Sequence, residues 1–271
     1  MEDTQKIVRT AIVILIILVA AAGVYYLFLA DRGKPADSAD RPAAEAIRPD
    51  EAVTGEPPAA GAVTAPLDQS DRLLRELAGD VSTNPDFLRW IASKDLIRRF
   101  VAAVDAVANA QSPRPQADFF VLKQPFKVVE RGGATFLDPV SYGRYDIVAD
   151  VLDSVSVAGC AKLYRDFQSQ IRQAYSDLGY PQGDFPRTLL KAINELLATP
   201  VVEASIQVEK TITTYVCVDP RLESLSAPQK HLLRMGPENV QLIQAKLREL
   251  APALGFVEGS LAKPVRIGPR D

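Results

Sequence analysis

The stretch from Ser226 to Leu250, SAPQKHLLRMGPENVQLIQAKLREL, decides how the chain is read. Ser226 stands two residues before Pro228, and a small hydroxyl residue followed closely by proline marks the start of a helix. Gly236-Pro237 ends that helix, because glycine accepts a backbone that other residues avoid and proline does not continue the turn. The same pair opens a further helix, in which Val240, Ile243, Leu247 and Leu250 recur at the spacing that gathers them on one face. Two helices meeting at a Gly-Pro corner predict a domain built mainly by helix packing.

Upstream, the pattern repeats. Ser70 is read as the cap of a short helix through Leu73, Leu74 and Leu77, and Asn84-Pro85 as an N-cap with proline in the first turn. Ile97, Phe100, Val101, Val104 and Ala108 form an apolar face, with Arg98, Arg99 and Asp105 away from it. Cys160, Leu163, Phe167, Ile171, Ala174 and Leu178 read as one long helix stopped at Gly179, with Pro181 beyond. Leu189 to Leu197 make another, closed by Pro200. Strand signals are fewer. Phe126–Glu130 and Ala134–Leu137 flank Arg131-Gly132-Gly133 as a hairpin, and Ile206–Glu209 with Ile212–Val218 flank Lys210-Thr211. Residues 67–256 therefore read as one α+β domain, mainly helical with a small antiparallel sheet, and residues 257–271 as a loose tail.

The N-terminal part is of another kind. After a short tail, 1–9, residues 10–30 carry no charge. At 1.5 Å per residue they span about 31 Å, which matches a hydrocarbon core of roughly 30 Å. This predicts a single transmembrane helix as the contact with the lipid bilayer. A cleaved signal peptide is the competing reading, since Lys6 and Arg9 precede the run and Ala20-Ala21-Ala22 resembles a cleavage site. The run continues through an interfacial Tyr25-Tyr26 pair to Leu29, which favours the span. Residues 31–66 hold six Pro, ten Ala and no aromatic residue, too little apolar surface to offset ordering, and read as a disordered spacer. Flanking basic residues balance across the span, so orientation rests on the spacer, which resembles an envelope tether. The expected topology is N-terminus in the cytoplasm and C-terminal domain in the periplasm of a bacterial inner membrane.

Composition excludes several functions. The chain carries 31 Lys+Arg and 34 Asp+Glu, of which six and nine precede residue 67, so the remainder is neutral. Nucleic-acid binders need a basic excess that displaces counterions, and no nucleic-acid partner is expected. One His and two Cys disfavour zinc centres and Ser-His or Cys-His catalysis. The glycines include no GxG or GxxxxG spacing, which removes the dinucleotide fingerprint and the phosphate loop. No cofactor, no metal and no catalytic set is expected. Ser260-Leu261-Ala262-Lys263 matches SxxK without any accompanying Lys-Thr-Gly. Asp146, Asp150 and Asp153 share a helix face that reads as solvated. Cys160 and Cys217 are either paired in an oxidising compartment or small buried hydrophobes.

Arg144-Tyr145-Asp146, Ala174 to Tyr180, Leu196-Leu197-Ala198-Thr199-Pro200 and above all Gln229 to Asn239 resemble the bacterial family catalogued as domain of unknown function 3014. The resemblance runs over nearly all of residues 67–250. It implies a bacterial envelope protein with one N-terminal membrane helix and brings no catalytic residue with it.

One candidate site stands out: Lys230, His231, Arg234 and Gly236. Lys230 and Arg234 are helical neighbours, and the helix after Gly236 offers unpaired N–H groups at its positive end, a combination suited to an anion. Pairing of these bases with local acids such as Glu238 is the structural alternative. Tyr142, Tyr145, Tyr164, Tyr175, Tyr180 and Tyr215 are candidates for lining a glycan or peptide cleft, or for core and rim. The expected function is a non-enzymatic binding or adaptor module for an envelope protein or cell-wall component. The alternative is an envelope hydrolase acting through carboxylates alone; no spacing in the sequence singles out a pair of acids, and Asp146 with Glu223 is one combination among many.

Overall fold

The computed structural model describes residues 65–79, 81–116, 125–212 and 214–268. The expected membrane span, the 1–9 tail and nearly all of the spacer lie outside the described residues. Among the described residues no helix is long and apolar enough to cross a membrane.

Helix α3 (Leu96–Ala108) is the spine, because nine of its thirteen residues are buried. It is preceded by α1 (Ser70–Ala78) and α2 (Pro85–Trp90) and packs against α6 (Gln168–Asp177) and α7 (Phe185–Leu197). Phe100 meets Phe185 edge-on at 5.6 Å between ring centroids. Helix α10 (Pro237–Ala253) lies against α4 (Asp146–Asp153), α5 (Val157–Asp166) and α7. Its Val240, Ile243, Leu247 and Leu250 enter the same core, as their spacing requires.

Strands β1 (Val128–Arg131), β2 (Ala134–Leu137), β4 (Gln207–Lys210) and β5 (Tyr215–Cys217) form an antiparallel sheet in the order β1-β2-β4-β5. The first hairpin turns on Gly132 and Gly133, both at positive φ (57° and 78°), a geometry that glycine adopts without strain. The sheet builds a second, smaller core from Leu137, Val202, Ile206, Val208, Leu222 and Leu233. Leu222 comes from the short α8 (Pro220–Glu223) and Leu233 from α9 (Ala227–Leu233).

Three details differ from the sequence reading. Ser70 is the first residue of α1 and donates to the Leu67 carbonyl (2.6 Å); the capping acid is Asp71, which acts on another helix. Its two carboxylate oxygens accept from the Asp95 and Leu96 amides (2.7 and 2.9 Å), closing the start of α3. The expected long helix through Cys160 and Leu178 is two helices, α5 and α6, divided at Phe167 (φ −101°, ψ 14°). The bend falls on a wholly buried ring, so Cys160, Leu163, Ile171 and Ala174 all reach the core while Leu178 stays exposed. The segment expected as a loose tail is tied down over 257–268. Leu261 joins the main core, Asn194 Oδ1 accepts from the Ala262 amide (2.7 Å), and Arg248 donates to the Ala262 carbonyl (2.6 Å). β6 (Arg266–Ile267) then pairs in parallel with β3 (Val201–Val202).

Candidate functional site

Three local devices place the predicted cluster. Ser226 and Gln229 form a reciprocal capping box at the start of α9, and Gln229 also donates to the Glu195 carbonyl (3.1 Å), which ties α9 to α7. Asp219 caps α8 through the Arg221 amide (2.9 Å). The 3-10 turn Pro139–Tyr145 is capped by Asp138 at the Val140 amide (3.0 Å). Ser141 stitches this turn to the entry of β1, accepting from the Lys127 amide (2.8 Å) and donating to the Lys127 carbonyl (3.1 Å).

These elements converge around Gly236. Its backbone (φ 88°, ψ 161°) lies in a region reserved for glycine, and a Cβ there would stand 2.5 Å from Tyr142 Cγ. Tyr142 therefore rests directly on the corner between α9 and α10. Asn239, in the first turn of α10, donates to the Met235 carbonyl (3.0 Å) and to Asp146 Oδ1 (3.1 Å). No side chain caps the start of α10.

Of the predicted site residues, Lys230 is engaged, its ammonium group donating to Glu223 Oε1. The other carboxylate oxygen of Glu223 accepts from the Cys217 amide on the edge of the sheet (2.8 Å). Burial disfavours the Glu223 charge, but the bonds from Lys230 and Cys217, with the charges of Lys230 and Arg234, outweigh it and hold its pKa below the usual 4.5. Lys230 and Glu223 are thus the local base–acid pairing that the sequence left open, with Glu223 as the acid. His231 is buried.

Arg234 is different. It is half-buried, yet among the described residues it makes no ion pair and no side-chain hydrogen bond. Among the described residues it is the one non-exposed lysine or arginine in that condition; Arg75, Arg98, Arg99, Arg144, Lys162, Lys230, Lys246 and Arg248 all bond a carboxylate, a carbonyl or a hydroxyl. Its charge is felt by Tyr145, Cys217 and Glu223. Burial pushes the Cys217 thiol up and the Glu223 carboxylate adds to this, against Arg234 and Lys230. A thiol so held is a poor nucleophile.

Arg144 also belongs to this corner, although its sequence context singled it out only through the family resemblance. It is buried, donates to the Tyr145 hydroxyl (2.9 Å), and lies 5.7 Å from the Phe126 ring centroid and 5.1 Å from that of Tyr145. Its aromatic partner comes from residue 126, too far along the chain for local spacing to announce it.

The six tyrosines do not form one cleft. Tyr142 and Tyr215 pack against the small core under the sheet, and Tyr145 is buried in the main core. Tyr175 stacks on Tyr180 (4.6 Å), meets Phe185 edge-on (5.3 Å) and belongs with Tyr164 to the main core. Asp146 bonds Asn239 and Glu223 bonds Lys230, so each carboxylate of the hydrolase alternative is committed to a different partner. Among the described residues no group of acids, His and Cys is arranged to hold a metal ion. Ser260 donates to the Val257 carbonyl (2.6 Å) and has no basic partner. Cys160 and Cys217 are both free thiols.

Fold and corner together define a mainly helical α+β domain with a basic, aromatic junction beside a small sheet. A family model described as protein of unknown function (DUF3014) matches residues 96–251, more than half of the chain, and the protein belongs to that family. No curated protein and no solved structure matches the chain.

Proposed function

We propose that the protein is a non-enzymatic binding module of the bacterial envelope, anchored by residues 10–30 and carrying its folded domain on the 31–66 spacer into the periplasm. The contact with its partner is made at the corner of Lys230, His231, Arg234 and Gly236, through an anionic group on the partner. The half-buried, unpaired guanidinium of Arg234 carries this reading. A guanidinium partly withdrawn from water loses hydration without compensation, and an incoming carboxylate restores it with two parallel hydrogen bonds. Lys at the same place supplies charge without the fork.

The test is in-cell crosslinking of full-length protein, with Arg234→Ala and Arg234→Lys compared with wild type for captured partner and melting temperature. Normal melting with reduced capture, deeper for Ala than for Lys, supports the reading; unchanged capture removes it. A phosphatase fused after Asp271 should be active in the periplasm, and inactivity there overturns the proposed localisation.

A further inference from the structure

The corner is asymmetric in a way that bears on which anion it accepts. Lys230 and Arg234 are one helical turn apart, but Lys230 is already held by Glu223. Glu223 is in turn fixed by the Cys217 amide, so it is a built part of the corner rather than a passing surface acid. With Glu223 ionised, Lys230, Arg234 and Glu223 sum to a single positive charge, which resides on Arg234; the corner's other base, Arg144, is buried and engaged with Tyr145, so it is not open to a ligand.

We infer that Glu223 sets the ligand class of this corner, limiting it to a single carboxylate, as on an acidic side chain or a polypeptide C-terminus, and rejecting phosphate dianions. This rests on the reading of Arg234 as the partner contact. A carboxylate monoanion neutralises the one open guanidinium and leaves the Glu223–Lys230 pair intact. A phosphomonoester carries a charge of about −1.5 to −2 and three acceptor oxygens, and needs a second cation. Lys230, one helical turn away, is the partly exposed base in line for this, but the Glu223 carboxylate occupies it and repels the incoming dianion. Glutamine at 223 keeps an oxygen that accepts from the Cys217 amide, loses the negative charge, and releases Lys230.

The experiment uses full-length protein in detergent and two probes, acetate and methyl phosphate, the latter well above its second pKa of about 6. Binding is read from the side-chain Nε–Hε resonance of Arg234 during titration. In wild type, acetate should bind more tightly than methyl phosphate. Glu223→Gln should reverse the order, with methyl phosphate affinity rising about tenfold, equivalent to about 1.4 kcal/mol. Lys230→Gln should weaken acetate, since one base and one acid then cancel, and the double variant Glu223→Gln/Lys230→Gln should regain the wild-type order at its restored single charge. The double variant keeps the test decisive should Glu223→Gln alone fail to fold. An unchanged order in Glu223→Gln, or a double variant that prefers phosphate, overturns the inference. If neither probe shifts the Arg234 resonance in wild type, the reading of Arg234 itself falls; if acetate shifts it and Glu223→Gln keeps the wild-type order, only the role of Glu223 falls.

Discussion

Gly236→Ala is the sharpest perturbation available in this fold. The backbone at Gly236 (φ 88°, ψ 161°) occupies a region open essentially to glycine alone, and forcing another residue into it costs about 1–3 kcal/mol. The added methyl also meets the Tyr142 ring, at 2.5 Å from Cγ, 2.7 Å from Cδ2 and 2.9 Å from Cβ. These are near atoms of the side chain, so the ring has to move bodily, at an overpacking cost of about 1–3 kcal/mol. The sum is about 2–6 kcal/mol. For a domain of about 200 residues each kcal/mol lowers the melting temperature by about 2–4 °C, which gives a loss of about 4–24 °C. Tyr142→Ala should remove the steric part and leave the backbone part, so the double variant should be less destabilised than the sum of the two singles. Gly79→Ala is the control. Gly79 has helical angles (φ −61°, ψ −27°) and open space around its Cβ position, so the change should stabilise by about 0.4–1 kcal/mol. Scanning calorimetry of the set decides the matter. A melting loss under about 2 °C for Gly236→Ala refutes the argument that this corner is pinned between a glycine-only backbone and the Tyr142 ring.

Further expectations follow from contacts outside the corner. Asp71→Ala removes the acceptor of two amides at the start of α3 and should destabilise by about 1–2 kcal/mol in chemical unfolding; a change near zero would show that water replaces it. A fragment cut to residues 96–251 discards Leu74, Leu77, Phe87 and Trp90, all buried, together with Leu261, and should lack a cooperative unfolding transition, whereas residues 65–268 should show one. Glu223 has a pKa depressed below 4.5, so its contribution is present above that value and is lost as pH falls through the lower folded-state value. With its side chain 38% exposed the effect is limited to a few tenths to about 1 kcal/mol, measured as a shallower acid-side fall in stability for Glu223→Gln than for wild type.

What could be read from the sequence was what local chemistry dictates. Asn84-Pro85, Ser226 before Pro228, and Gly236-Pro237 begin and end helices because caps act over three or four residues, and each stands where expected. The Gly132-Gly133 hairpin is equally local. Reading fails where a remote partner decides. Asp71 serves a helix that begins 25 residues later, so its role has no signature in its own neighbourhood, and Ser70 takes its place in a purely local reading. The bend at Phe167 leaves the apolar periodicity unbroken on both sides, so spacing alone joins two helices into one. Arg266-Ile267 becomes a strand through its parallel neighbour Val201-Val202, a pairing across 65 positions.

The corner itself shows why a charged site was only half legible. Helical spacing identified Lys230 and Arg234 as neighbours, but their different fates depend on which core each side of α9 meets. Leu232 and Met235 enter the main helical core, whereas Leu233 enters the small core under the sheet. Arg234 thus lies in the chain between residues that enter different clusters, Leu233 and Met235, with Tyr142 against Gly236 two residues on and its charge reaching Cys217. Glu223, held by the Cys217 amide, bonds Lys230, while Arg234 stays partly withdrawn from water with no acid within ion-pair distance among the described residues. The unpaired charge is therefore a consequence of the fold: the corner that joins the two cores leaves Arg234 half-desolvated, and the binding reading turns on whether an external carboxylate completes it.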